Sequence, residues 1–224
     1  MNVVKCVEKA LIEWDAADLE AAMLHATIAV DGSAARSSSR STKRQFLEFV
    51  RRQYDVIQVM LGAVTIDATR SRFAPLPELG GYTSPAEPDL ADVIYAIHRC
   101  SHAHGSEVPV NFALHAGNRI TVHLGDSAGI QLPRSIIIGL LAGVVLCREN
   151  RNLTGGGSCY LSWDHPGAGD LPSRSEQFVI QNWWGRKREF LELTRAPQSV
   201  LTVSPSRAWN IHVAHEDLPI KISY

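Results

Sequence analysis

The sequence predicts a mainly α protein: a bundle of about four to five helices with an inserted β-hairpin and a small α/β C-terminal extension. Three observations predict it. Apolar residues recur at helical spacing through most of the first 150 positions, and polar connectors separate the periodic stretches. No βαβ rhythm repeats along the chain, so a parallel sheet is not expected. After Asn152 the character changes to Gly-rich and strand-like segments, which places a boundary near residue 153. The expected organisation is a helical domain over 1–153 and an extension or small subdomain over 154–224.

The first helix is expected over 3–29, broken near Asp15 to Asp18, with Leu11, Trp14, Leu19, Ala22, Met23 and Ile28 on its apolar side. "DGSAARSSSRST" (Asp31 to Thr42) reads as a polar connector, and Ser41 or Thr42 can cap the next helix. "KRQFLEFVRRQYDVIQVML" reads as that second helix, burying Phe46, Phe49, Val50, Ile57 and Leu61. "PLPELGGYTSPAEPD" is dense in Pro and Gly and predicts a loop.

Pro88 and Asp89 then open a helix with Asp89 as N-cap. Leu90, Val93, Ile94, Ile97 and His104 share one stripe, and Gly105 supplies the C-cap. In "VPVNFALHAGNRITVHL", Val108, Val110, Phe112 and Leu114 alternate, as do Ile120, Val122 and Leu124. With "HAGN" as the turn, this predicts a β-hairpin. "LPRSIIIGLLAGVVLCREN" predicts a helix buried on all sides. Its apolar run from Ser135 to Cys147 falls short of the ~20 residues needed to span a bilayer. Beyond 153, "CYLSW", "SVLTV", "WNIHVAH" and "IKISY" read as strands, and "NWWGRKREFLELTR" as a helix.

Composition narrows the function classes. The net charge is −1 over 224 residues, so a protein that coats nucleic acid through global basicity is excluded, and any such contact needs a local patch. Cys6, Cys100, Cys147 and Cys159 form no CxxC pair, and charges interrupt the N-terminal apolar run. Free thiols in a reducing, cytoplasmic compartment are therefore expected, with no secretory leader.

The stretch "IYAIHRCSHAHG" (Ile94 to Gly105) gathers the residues richest in chemistry. Arg99 and His104 form an R-x4-H pair. Bare spacing says little, because 17 Arg and 9 His yield about two such matches by chance when spacers of four to six are allowed. Arg207 to His212 is a second match, in a strand-like stretch. Context separates them, since Arg99 and His104 lie in the last turns of an apolar helix closed by Gly105.

In "DVIYAIHRCSHAHG" and the helical framework over roughly 1–150, the chain resembles the HEPN family (higher eukaryotes and prokaryotes nucleotide-binding). The resemblance implies a helical bundle, usually a homodimer, with metal-independent endoribonuclease activity. It also implies a toxin or phage-defence role, with RNA and a protein antitoxin as partners and no cofactor. Carried over, Arg99 stabilises charge on the phosphorane-like transition state and His104 exchanges the proton. Arg suits the first task by its fixed fork of donors, and His the second by titrating near neutrality. An α-helix sets positions 99 and 104 about 140° apart, so a shared groove needs an altered last turn or a second subunit. Cys100 stands where active members commonly carry a polar residue, which leaves open a degenerate module that binds RNA, a nucleotide or a protein.

Two bland or rival readings stand beside the catalytic one. Arg99 and His104 can be the solvated end of a helix. Alternatively Cys100 with His104, or His98 with His102, can share a metal ion, His115, His123 or Cys147 completing the set through the fold. No metal signature supports that, and none is expected. Arg40, Lys43, Arg44 and Arg51 belong to a basic run that reads as an RNA-backbone patch or as a solvated face. Trp183 and Trp184, beside Gly185, Arg186, Lys187 and Arg188, read chiefly as an anchor for the extension.

Overall fold

The computed structural model describes residues 2–37, 42–61, 70–76, 83–100, 108, 110–116, 120–123, 129–156, 159–165, 174–195, 209–215 and 218–221. It is mainly helical. Helix α1 (Val3–Asp15) starts at Asn2, whose side chain accepts the Lys5 N–H, and buries Val7, Ala10, Leu11 and Trp14. The break expected near Asp15 is real. Ala17 turns the chain in the left-handed region at φ 61°, and Asp18 caps α2 (Leu19–Arg36). Helices α1 and α2 pack as a hairpin.

Helix α2 runs past Asp31, through the first half of the stretch read as a connector. Long-range partners hold this added length. Ser33 donates to the Ala29 carbonyl at 2.8 Å, and the Asn150 amide donates to Ser33 Oγ at 2.8 Å. A polar segment reads as a loop when its partners are invisible in the local sequence.

The second expected helix is two. Helix α3 (Lys43–Arg52) opens with a reciprocal cap between Thr42 and Gln45, and α4 (Tyr54–Met60) restarts after a kink at Gln53. The kink lets Phe46, Phe49, Val56 and Ile57 all reach the core.

Asp89 caps α5 (Leu90–Val93), with Asp92 returning a bond to the Asp89 N–H. The expected α-helix then changes winding, because Ile94–Cys100 is a π-helix. Leu90, Val93, Ile94 and Ile97 are fully buried along it. His104 and Gly105 lie outside the described residues.

The hairpin expected within 108–124 is corrected. Val110–Phe112 is a 3-10 turn, and β1 (Thr121–His123) pairs antiparallel with β2 (Gly129–Gln131), Val122 opposite Ile130. Alternation of apolar residues marks a strand but does not name its partner.

Helix α6 (Ser135–Leu146) is apolar all round and nearly all buried, which identifies it as the central helix. It approaches α4 closely because Gly139 and Gly143 face Ile57 and Gln53. A Cβ at Gly139 would stand 3.2 Å from Ile57 Cγ2, and one at Gly143 would stand 3.0 Å from Gln53 Cβ. A 3-10 turn, Arg148–Asn150, ends the bundle. Among the described residues no helix is long and apolar enough to cross a membrane.

The extension forms an antiparallel sheet in the order β4-β3-β5-β6, from β3 (Cys159–His165), β4 (Arg174–Val179), β5 (Trp209–His215) and β6 (Leu218–Lys221). Asp164 and His165 continue β3 opposite Ser175 and Arg174. "SVLTV" lies outside the described residues. Helix α7 (Lys187–Arg195) comes after a tight turn in which Gly185, at φ 77°, donates to the Val145 carbonyl at 2.8 Å. Cys159, Ile180, Trp184 and Phe190 join the same hydrophobic cluster as the bundle helices. The Trp184 indole donates to the Gly155 carbonyl at 3.0 Å, and Glu8 of α1 accepts the Gly156 N–H at 3.0 Å.

Candidate functional site

The π-helix positions the sequence-predicted arginine. Asp31 of α2 accepts from Arg99 Nε at 3.2 Å, and the Arg99 side chain is 32% exposed. The guanidinium carbon lies 6.0 Å from the Tyr95 ring centroid, and Tyr95 meets Phe46 edge-on at 5.2 Å. Burial raises the pKa of the Tyr95 hydroxyl, and the neighbouring Cys100 adds to the rise. Burial likewise pushes the Cys100 thiol up, against the opposing pull of Arg99 and Lys43. Lys43, at the start of α3, thus belongs electrostatically to the Arg99 neighbourhood.

A second polar cluster lies between α3 and the start of α5. Arg51 donates from Nε to Asp89 at 2.7 Å and from Nη2 to Asp92 at 3.0 Å. Burial opposes ionisation of Asp89, but bonds from Arg51 and from Asp92 outweigh it and hold the carboxyl below the usual range. The Tyr54 hydroxyl accepts the Ala91 N–H at 2.8 Å, and burial first, then Asp89, drives its pKa well above the ordinary tyrosine value. These groups line a cleft of about 760 Å³, with Lys43, Arg72, Ser84 and Glu87 on its walls.

The structure therefore brings some predicted residues together and not others. Lys43 belongs to both neighbourhoods, and Arg51 is committed to two carboxylates. Arg44 is highly exposed and pairs only loosely with Glu48, at 3.4 Å along its own helix. Arg40, His102 and His104 lie outside the described residues. Among the described residues no three His, Cys, Asp or Glu side chains gather as metal ligands. His98 is buried within the π-helix, His123 bonds Gln131 at 3.1 Å, and Cys147 is buried at the end of α6.

Sequence reasoning missed Asp31, Tyr54, Asp92 and Gln53. Asp92 had a readable signal, since an acidic residue three positions after an N-cap suits a reciprocal cap. Asp31 had a weaker one in the alanine spacing of "ATIAVDGSAAR", which continues the helix to Arg36.

With this geometry in view, comparison with known proteins places the chain. The family model described as Rv1289 matches residues 2–209. The chain belongs to the Rv1289 family. Relatives include Uncharacterized protein Rv1289 and Uncharacterized protein MT1327 of Mycobacterium tuberculosis and Uncharacterized protein Mb1320 of Mycobacterium bovis. Each is 30% identical over 215 residues, covering 94% of this chain and 96% of the relative. The Rv1289 match thus takes in the bundle and most of the extension together. No solved structure matches the chain.

Proposed function

We propose that this Rv1289-family chain is a HEPN-like, metal-independent endoribonuclease in which Arg99 meets the scissile phosphate and His104 moves the proton. One observation carries the reading. Arg99 is gripped through Nε by Asp31 at the end of a π-helix, which fixes how the guanidinium is presented. With Nε held, the terminal nitrogens of Arg99 are the ones that address phosphate oxygens.

In the reaction the RNA 2′-oxygen bonds to the adjacent phosphorus and the bond from phosphorus to the 5′-oxygen breaks. His104 takes the 2′-hydroxyl proton or returns one to the leaving oxygen. Lys43 and Arg44 of α3, with Arg40, supply attraction for the RNA backbone. A homodimer sets two such pairs across a two-fold axis. The setting is a cytoplasmic, reducing one, where the four thiols stay free. A toxin or phage-defence role, with a protein antitoxin, rests on the HEPN resemblance alone.

The test is cleavage of a mixed RNA pool in EDTA by the native protein and by His104→Ala. Cleavage that survives EDTA and vanishes in the variant supports the nuclease. Equal cleavage by both proteins sinks it.

A second reading keeps the fold and drops the chemistry, leaving a module that binds RNA, a nucleotide or a protein partner. Cys100 favours it. The residue after Arg99 is buried against Tyr95 with its thiol raised by burial, instead of offering a polar group to a groove. Binding of RNA without cleavage by the native protein selects this reading.

A further inference from the structure

The cleft between α3 and the start of α5 encloses about 760 Å³, within the range of pockets that hold a small molecule or a single nucleotide. Its charges balance, Lys43, Arg51 and Arg72 against Glu87, Asp89 and Asp92. A phosphate placed here would face as many carboxylates as cations, so charge gives it no advantage. An uncharged ring with donors and acceptors on its edge gains from both signs. Apolar surface comes from two elements, Leu47 of α3 and Pro85 of the segment that leads into α5.

Two polar groups on these walls have capacity left. Asp89 and Asp92 are buried and hold Arg51 through Nε and Nη2, which fixes the plane of the guanidinium. Arg51 Nη1 bonds no described residue, and the side chain is 41% exposed. Glu87 is exposed, and its carboxylate has no hydrogen-bond or ion-pair partner among the described residues. The cleft thus pairs a fixed donor with an uncommitted carboxylate. Lys43, on the same wall, also acts electrostatically on Cys100 beside Arg99, so the cleft adjoins the arginine assigned to the scissile phosphate.

We infer that this cleft is the subsite for a guanine base of bound RNA, next to the scissile phosphate. Arg51 donates to guanine O6 or N7, and Glu87 accepts from N1–H and the 2-amino group. Guanine alone among the four bases offers two adjacent N–H donors on its Watson–Crick edge together with an O6 and N7 acceptor pair. Adenine and cytosine present one amino group beside a ring acceptor, and uracil one N–H between two carbonyls, all of which set an acceptor against the carboxylate. The inference rests on the reading that RNA is the ligand, and it applies to a protein that cleaves RNA or only binds it.

The experiment is isothermal titration calorimetry of the native protein with 5′-GMP, 5′-IMP and 5′-AMP, which share one ribose phosphate and differ only in the base. GMP should bind about tenfold tighter than AMP, the discrimination expected of a bidentate base contact. IMP, which lacks the 2-amino group, should fall between them. Glu87→Gln should bring GMP to within about twofold of AMP and leave AMP binding unchanged. Glu87 is exposed and outside the Arg51 network, so this variant tests the cleft without touching the core. Arg51→Lys keeps the charge and loses the fork, and should weaken GMP binding about tenfold in protein that a thermal melt shows to be folded.

Equal affinity for the three nucleotides, no binding at millimolar concentration, or a guanine preference that survives Glu87→Gln overturns the inference. Mapping the cut sites in the RNA pool separates it from the nuclease reading. Cleavage with no preference for guanine beside the cut leaves the nuclease and overturns the subsite. Glu87-dependent GMP binding by a protein that does not cleave keeps the subsite and removes the nuclease.

Discussion

Asp31 and Arg99 are 68 residues apart in sequence and 3.2 Å apart in the fold, joined from the last turns of α2 to the π-helix. The pair explains how the arginine is aimed. Replacing Asp31 by Asn removes the charge and keeps the shape. On the proposed nuclease reading, RNA cleavage by Asp31→Asn should fall about tenfold in kcat/KM, the loss expected when a charge-assisted bond that orients the proposed phosphate-binding arginine is weakened. Stability should change by less than about 1 kcal/mol, because Arg99 is a third exposed and the pair is screened. Steady-state kinetics beside a thermal melt separates the two effects. A large drop in melting temperature with unchanged kcat/KM would show that the pair serves the fold only.

Arg51, Asp89 and Asp92 tie α3 to the start of α5. Asp89 has its folded pKa depressed below the unfolded value of about 3.9, so its contribution is present above that pH and is lost as the pH falls through the folded pKa. Asp89→Ala should cost about 2 kcal/mol at pH 7, below the range for a fully buried pair because the Arg51 side chain is 41% exposed. The gap between native and variant should close on acidification below about pH 4. Urea denaturation at neutral pH and at about pH 3 measures it, and a gap that widens in acid would reverse the assignment.

Asn150 is fully buried and spends its amide donors on Ser33 Oγ and the Val144 carbonyl, both at 2.8 Å. Asn150→Ala leaves two buried acceptors without their donor and should cost about 2 kcal/mol. In a chain of this size that lowers the melting temperature by about 4–8 °C. A calorimetric shift under about 1 °C would mean that solvent replaces the amide.

The four cysteines differ in reach. Cys100, Cys147 and Cys159 are buried, and burial pushes the Cys147 thiol up to about 12. Cys6 is only partly buried. Iodoacetamide at about pH 8 should label Cys6 first in the native protein and all four after denaturation, read by mass spectrometry. Early labelling of Cys100 would show that the π-helix opens in solution.

Some of this is legible in the one-dimensional pattern. The break between α1 and α2, the capping role of Asp89 and the all-apolar α6 are readable because each depends on residues within one or two turns. Arg99 stands out in its local run of histidines, whereas Asp31 beside it reads as part of a connector. The strand at β1 is readable, but its partner β2 is missed because alternation identifies a strand and leaves its partner open. The Gln53 kink goes unread because nothing in "RRQYD" breaks a helix. At that point the chain passes close to α6, where a Cβ on Gly143 would stand 3.0 Å from Gln53 Cβ.

By itself, the sequence determined that the protein is mainly helical, where most helices start and which faces are apolar. Those properties come from local spacing and from caps a few residues away. Tertiary structure alone decided the π winding at Arg99, the grip of Asp31 and the pairing of β1 with β2. Each depends on groups distant in the chain that meet only after the core has formed, and no window of the sequence contains both partners.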